Sequence, residues 1–376
     1  MAQQQTLRPL AGIRVLDFTA FPPGAACTIM LADLGADVIR IEPPAQKGKP
    51  SLVIGQLALS RGKRSITVDL RNPTGIETIL RLASNADVVV ENAKPGSMAE
   101  RGYGYPQARK VNSRLIWCAI TGYGQDGPHA GHSGHDLNYL AHSGLLGALT
   151  EDRSWHPAMS LAAQAGALAA VIGIQGALLE RHRTGEGAFV DQSISEAATW
   201  LLSAGLKPLS EQPFLLPESA DRHLYLCSDG RYVAIACAEP RTWETLCDGL
   251  ELPEIKPFLH KLEHTDMAVK TIGEKFMRRP AAEWVGLLAP RGAAISIFNH
   301  AAQLLDDPQV RARGSVTVTE AGPVPSNPVR ILTPSGSCTA TAAAAPHQIG
   351  ADTTDVLLTS GFLKTEIEEL LSAGVI

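Results

Sequence analysis

The sequence holds few of the short signatures that would place it at once. Its six cysteines, Cys27, Cys118, Cys227, Cys237, Cys247 and Cys338, are scattered, with no CxxC pair and no histidine at zinc spacing. That pattern argues against a thiolate metal module or a disulfide framework, and it fits reduced thiols in a cytoplasmic protein. No long basic run occurs, and 33 Lys and Arg against 38 Asp and Glu leave a net charge of −5. Nucleic acid is therefore not expected as the main partner. G-x-G-x-x-G and G-x-x-x-x-G-K-[ST] are both missing, which disfavours a nicotinamide or ATP enzyme, and the missing G-x-S-x-G weakens an α/β-hydrolase reading. The opening "MAQQQTLRPL" lacks an apolar stretch, so no secretory leader is expected. The one run long enough to span a membrane, Trp155 to Leu179, lacks Asp, Glu, Lys and Arg, but it is rich in Ala and Gly and carries Gln164 and Gln175. It reads as a buried helix, and no membrane association is expected.

What is present is enough chain for two domains: 376 residues, 45% hydrophobic and only 19% charged. "IRVLDF" (13–18), a Pro- and Gly-led helical stretch, and "DVIRIE" (37–42) form a strand–helix–strand unit, which packs as parallel strands with a right-handed crossover. The pattern repeats with "SITVDL" (65–70), a helical segment and "DVVVEN" (87–92), and "RLIWCAI" (114–120) adds a further strand. The first third is thus α/β with a largely parallel sheet. From 158 to 206 the pattern is helical, broken by "RTGEGAFVD". "HLYLCSDGRYVAIAC" (223–237) is a hairpin signal around Ser-Asp-Gly. Helical segments near 240–250, 266–279 and 281–289 follow, and residues 323–337 read as loops. We expect a large domain from 1–205 and 325–376, with 206–324 forming a linker and a smaller α+β domain.

Three segments carry chemistry. Arg61, Lys63 and Arg64 precede a strand; the plain reading is a solvated turn, the functional one phosphate capture. The loop "TGYGQDGPHAGHSGHDLNYLAHSG" (121–144) has the glycines that let backbone N–H groups approach a ligand, and it carries His129, His132, His135 and His142. With no cysteine or carboxylate cluster nearby, a metal site is not expected. A histidine there suits a general base, because imidazole titrates near pH ~6.5, but the residues alone do not choose among the four. Glu239-Pro240 at a strand end is ordinary helix-capping chemistry.

Several segments together resemble one family: "LAGIRVLDFTAFPPGAACTIMLADLGADVIRIE", "SRGKRSITVDL", "VVVENAKPGSMAERGYG", "LIWCAITGYGQDGP", "GHDLNYLA", "ALLERHRTGEGAFVDQSISEA" and "DDPQVRARG". The chain is similar to the family III CoA-transferases and α-methylacyl-CoA racemases, nearly end to end, and "GHDLNYLAHSG" and "DGRYVAIACAEP" resemble the racemase branch. The resemblance implies a Rossmann-like large domain built from both ends of the chain, a smaller domain between, and an interlocked homodimer with the acyl-CoA site between subunits. It implies no cofactor beyond the CoA of the substrate. It also implies that Arg40, Arg64, Val68, Asp69, Leu70, Arg71, Asn92, Ala93, Arg101 and Gly134 hold CoA. His135 would be the catalytic base with Asp136 beside it, and Glu239 of the other subunit would orient it.

One position departs from that pattern. Where racemases and transferases carry an aspartate, "SLAAQAGA" places Gln164, and the nearest acids are Asp152 before the tract and Glu180 after it. A transferase needs that carboxylate as nucleophile, and a two-base racemase needs it opposite the histidine. The expectation is therefore a racemase- or epimerase-like enzyme acting at the α-carbon of a 2-substituted acyl-CoA with Gln164 in place of a second base. The alternatives are the non-nucleophilic subunit of a hetero-oligomeric CoA-transferase and a catalytically silent CoA-binding homologue.

Overall fold

A computed structural model describes residues 5–53, 57–150, 156–204, 219–319, 322–334, 336–338 and 344–376. The chain divides into two compact units, Met1–Phe214 with Arg313–Ile376, and Leu215–Ala312.

The first unit is organised by a six-stranded, fully parallel sheet. Its strands are β1 (Arg14–Asp17), β2 (Asp37–Glu42), β3 (Arg64–Thr67), β4 (Val88–Glu91), β5 (Ile116–Thr121) and β6 (Phe189–Ser193), in the order β3–β2–β1–β4–β5–β6. Because parallel strands need crossovers, helices cover both faces and the strands read as continuous apolar runs. All four β4 residues and all six β5 residues are buried.

On one face, Leu16, Ile39, Ile66, Val89 and Trp117 pack against α2 (Pro73–Ser84) and two C-terminal helices, α11 (Thr353–Thr359) and α12 (Lys364–Ser372). The last residues of the chain thus complete a core begun by the first. On the other face, Val15, Val38, Val90, Cys118 and Ile120 meet α1 (Pro22–Asp33) and the long α6 (Leu161–Thr184). By length and composition α6 passes for a membrane span, but Ala162, Gly166, Ala170 and Ile174 on one of its faces are buried in this core. Small residues let it lie close: a Cβ at Gly173 would press on Val190 of β6, and one at Gly166 would meet Ile194. All six cysteines are buried and unpaired.

Two expectations are corrected. "RTGEGAFVD" is more than a break between helices, because its second half is edge strand β6, whose burial alternates as the half-covered edge of a sheet requires. Residues 323–337 are not loops throughout: Gly322–Pro325 pairs with Val316–Thr319, and Ile331–Thr333 pairs with Gly336–Cys338, which also meets Gln5–Thr6. These strands are too short for a periodic signal, and prolines at two-stranded edges are tolerated.

The second unit packs an antiparallel sheet, β7 (Arg222–Leu226), β8 (Tyr232–Ala236) and β9 (Ile295–Ile297), against α8 (Pro240–Gly249), α9 (Thr265–Phe276) and α10 (Ala281–Leu288). Its core is centred on Trp243, Leu246, Ile272, Phe276 and Trp284. Ser228, Asp229 and Gly230 form the β7–β8 turn, as the hairpin signal required.

Candidate active site

The strand order reverses between β1 and β4, so the loops leaving their carboxyl ends diverge and open a crevice. In open α/β sheets this is where ligands bind. Three loops rim this edge: 18–21 after β1, 92–96 after β4 and 122–135 after β5. The first two are tied together, because Asn92 Oδ1 accepts the Ala20 N–H at 3.0 Å. Asn92 Nδ2 is buried and has no hydrogen-bond partner, which leaves an amide donor at the crevice. Ala93 follows, its N–H donated to Glu91 Oε2 at 2.6 Å.

The third loop separates the four histidines. His129 Nδ1 lies 3.0 Å from His132 Nδ1, and the rings of His129, His142 and Tyr123 pack edge to face or tilted within 5.7 Å. His135 stands apart from this cluster, exposed at the N-cap of α5 (Asp136–His142), its backbone N–H held by Asn138 Oδ1 at 3.0 Å. Gly134 is required just before it: Tyr139 donates its hydroxyl to the Gly134 carbonyl at 2.5 Å, and a Cβ there would strike the Tyr139 ring.

Asp136 has a structural task. Its Oδ1 accepts the Ala163 N–H at 2.8 Å, capping the first turn of α6 from outside the helix. Burial raises its pKa above the usual carboxylate value, while the Ala163, Leu161 and Ala162 amides oppose that shift. The same contact brings the start of α5 against the start of α6. Gln164, exposed in that first turn, therefore follows directly the residue that Asp136 holds. No acid occupies Leu161–Thr184 before Glu180, and Asp152 lies outside the described residues.

Each member of the basic triplet has an ion-pair partner within the first unit. Arg61 pairs with Asp33 at 2.7 Å, Lys63 with Asp17 at 3.2 Å, and Arg64 with Asp37 at 2.5 Å and Asp355 at 3.0 Å. Arg64 opens β3 and faces Asp37 at the start of β2, so it sits at the amino-terminal edge of the sheet, opposite the crevice. Arg40 is buried, donating to Ser51 Oγ at 2.7 Å and lying 3.5 Å from Glu42, with Nε unpartnered. Val68, Asp69, Leu70 and Arg71 leave the carboxyl end of β3; Val68 is buried, and Arg71 closes a tight turn on Asp69 and is otherwise exposed. Arg101 is exposed at the C-cap of α3 (Ser97–Glu100). Glu239 belongs to the second unit, where it is the exposed N-cap of α8 and accepts from Thr242 Oγ1 at 3.2 Å.

A family model for "CoA-transferase family III" matches residues 10–353. The chain belongs to this family. Among its relatives, human alpha-methylacyl-CoA racemase is 29% identical over 386 residues, covering 98% of this chain and 97% of that one. The alpha subunit of succinyl-CoA–L-malate CoA-transferase from Chloroflexus aurantiacus is 30% identical over 343 residues, covering 83% and 79%. A crystal structure of a CAIB/BAIF family protein from Brucella suis superposes with a TM-score of 0.80 at 27% identity, covering 95% of this chain and all of that one. Racemases and CoA-transferases thus stand at similar distance.

Sequence reading missed Glu91 and Gln125. Both line a cavity of about 430 Å³ with Tyr105, Trp117 and Phe189, on the α2 side of β4 and β5. Glu91 was visible as one carboxylate ending a buried valine run. Burial pushes it up to about 7, against the opposing pull of the Ala93 and Trp117 hydrogen bonds. A raised carboxylate binds its proton more tightly when folded, so its stabilising contribution is complete below pH ~4.5 and is lost as pH climbs through 7. Glu91→Gln keeps an acceptor for Ala93 without the charge. It is expected to match the wild type at pH 4.5 and to exceed it by on the order of 2–3 kcal/mol at pH 8 in urea unfolding. Parallel stability profiles for the two proteins would refute this.

Proposed function

We propose that the chain is an acyl-CoA enzyme of the racemase type, in which His135 removes the α-proton of a 2-substituted acyl-CoA. The observation that carries the reading is the sorting of the histidines. All four are exposed, but His129, His132 and His142 pack on each other and Tyr123, whereas His135 is outside that ring cluster and sits at a helix N-cap beside the switch-point crevice. Deprotonation moves the C–H pair toward the thioester carbonyl, giving an enolate, and the proton goes to the imidazole. Backbone donors of the glycine loop are suited to the developing oxyanion. Asn92, Ala93 and the turn after β3 are the proposed CoA contacts, with Arg40 supplying positive charge behind them. Glu239 of the partner subunit is assigned to orienting the imidazole.

Gln164 sets the stereochemical outcome. Its amide cannot accept and return a proton, so inversion needs a second donor such as a water held by Gln164; without one, the proton returns to the face it left. A second reading is favoured by the name of one relative, the alpha subunit of a CoA-transferase. Transfer through an enzyme anhydride needs a carboxylate nucleophile, and the first turn of α6 has none, so such a protein would act with a partner that carries it.

We further propose a cytoplasmic homodimer. The face of α6 away from the sheet carries Leu168, Ile172 and Leu179, the last two 70% and 75% exposed. A contiguous apolar stripe of this kind is uncommon on a free surface.

In deuterated water, one enantiomer or both of a 2-methylacyl-CoA is expected to acquire label at the α-carbon. His135→Ala is expected to slow wash-in by about 10²–10⁴-fold. Labelling of neither enantiomer would refute the isomerase reading, and tight CoA binding without turnover would mark a silent homologue. Sedimentation at micromolar concentration is expected to give twice the 39.9 kDa chain mass; a monomer would contradict the dimer.

A further inference from the structure

Lys63 is 2% exposed and lies inside the sheet–α1 core, an expensive place for an ammonium group. Its three donors are all used: Asp17 Oδ2 at 3.2 Å, Thr28 Oγ1 at 2.7 Å and the Ala25 carbonyl at 3.1 Å. Asp17, fully enclosed at the end of β1, uses both oxygens. Oδ2 also accepts from Thr28 Oγ1 at 2.7 Å, and Oδ1 accepts the Thr19 N–H at 2.9 Å and the Thr19 hydroxyl at 2.6 Å. The carboxylate therefore folds the chain back on itself just as it leaves the central strand.

That turn is the root of the crevice wall. Phe18 N–H donates to the Val90 carbonyl at 2.9 Å, Thr19 is held by Asp17, and Ala20 N–H donates to Asn92. Thr19 also packs on Gly24 so closely that a Cβ there would overlap its methyl group, which explains a glycine in the first turn of α1. Burial alone would raise the Asp17 pKa, but Lys63 and Arg40, with the Thr19 and Thr28 bonds, bring it below the usual carboxylate value.

An apolar pair of the same size in place of a buried ion pair is often as stable or more so. Keeping the charges at the switch point therefore points to geometry rather than stability. We propose that Lys63 is a positioning residue for acyl-CoA binding: by neutralising Asp17 it lets the carboxylate hold the Thr19 turn, and with it the 18–21 wall, in one conformation before ligand arrives. Its consequence for CoA rests on the acyl-CoA reading above. The physical route is pre-organisation, in which a wall already ordered costs nothing to order on binding.

Two double variants test this in the full-length protein. Lys63→Met with Asp17→Leu removes the charges and the acceptor for Thr19 while keeping the volume. Lys63→Met with Asp17→Asn also removes the charges but keeps an oxygen for Thr19. The leucine pair is expected to melt near the wild-type temperature, to exchange the amide hydrogens of residues 18–21 about tenfold faster or more, and to bind CoA about tenfold more weakly by calorimetry. The asparagine pair is expected to restore both properties to within a few fold, a rescue that a merely structural role would not produce. Wild-type exchange and affinity in the leucine pair would overturn the proposal. If that pair does not fold, Thr19→Val, which leaves the ion pair intact, takes its place; unchanged exchange at 18–21 would then overturn it. If the wild type itself binds no CoA, the acyl-CoA reading fails, while the exchange comparison still decides what Lys63 does.

Discussion

The buried Lys63–Asp17 pair stands where the fold's two requirements meet. A parallel sheet can open a crevice only where its strand order reverses, here between β1 and β4, and the loops there must be both irregular and fixed. Irregular backbone beside a core leaves donors that need partners. Asp17 supplies them for the loop after β1, Glu91 for the loop after β4 and Asp69 for the turn after β3, each accepting the N–H two residues on. Asp17 alone of the three is enclosed with a full cationic partner, and its loop is the one crosslinked to the next through Ala20 and Asn92.

The third rim loop is fixed by different means. Tyr139 bonds to the Gly134 carbonyl, and Asp136 reaches from the start of α5 to the start of α6. The two residues flanking that last bond in sequence, His135 and Gln164, are the ones on which the proposed chemistry turns. The glycine loop and the Ala/Gly-rich helix thus share one purpose. Small residues bring α6 down onto the sheet, and its capped amino terminus is thereby set beside the histidine.

Much of this was legible in the sequence. Alternating apolar strands and helical stretches are local signals, so the parallel sheet, the hairpin and the second unit's helices follow from periodicity. Strand β6 and the short pairs after 315 were not legible, because an edge strand behind two glycines and strands of three or four residues carry too little pattern. The histidine loop was found by composition and His135 was singled out by the family resemblance; the ring packing of the other three adds a physical reason that no local reading of the sequence supplies. The ion pairing of the basic triplet was not legible for a plain reason: the partners of Arg61, Lys63 and Arg64 lie 27 to 291 residues away, so no local reading shows them. Glu91 and Gln125 escaped notice because a polar residue at the end of a strand looks like a boundary until the cavity beside it is seen.

The proposed acyl-CoA chemistry belongs to the carboxyl edge of the sheet, between β1, β4 and β5. The most direct test is amide hydrogen exchange of the whole protein with and without saturating CoA. Protection concentrated at residues 18–21, 92–96 and 122–135 is the expected result. Protection confined to the opposite edge, around Arg8, Asp37 and Arg64, or no protection anywhere, would contradict it.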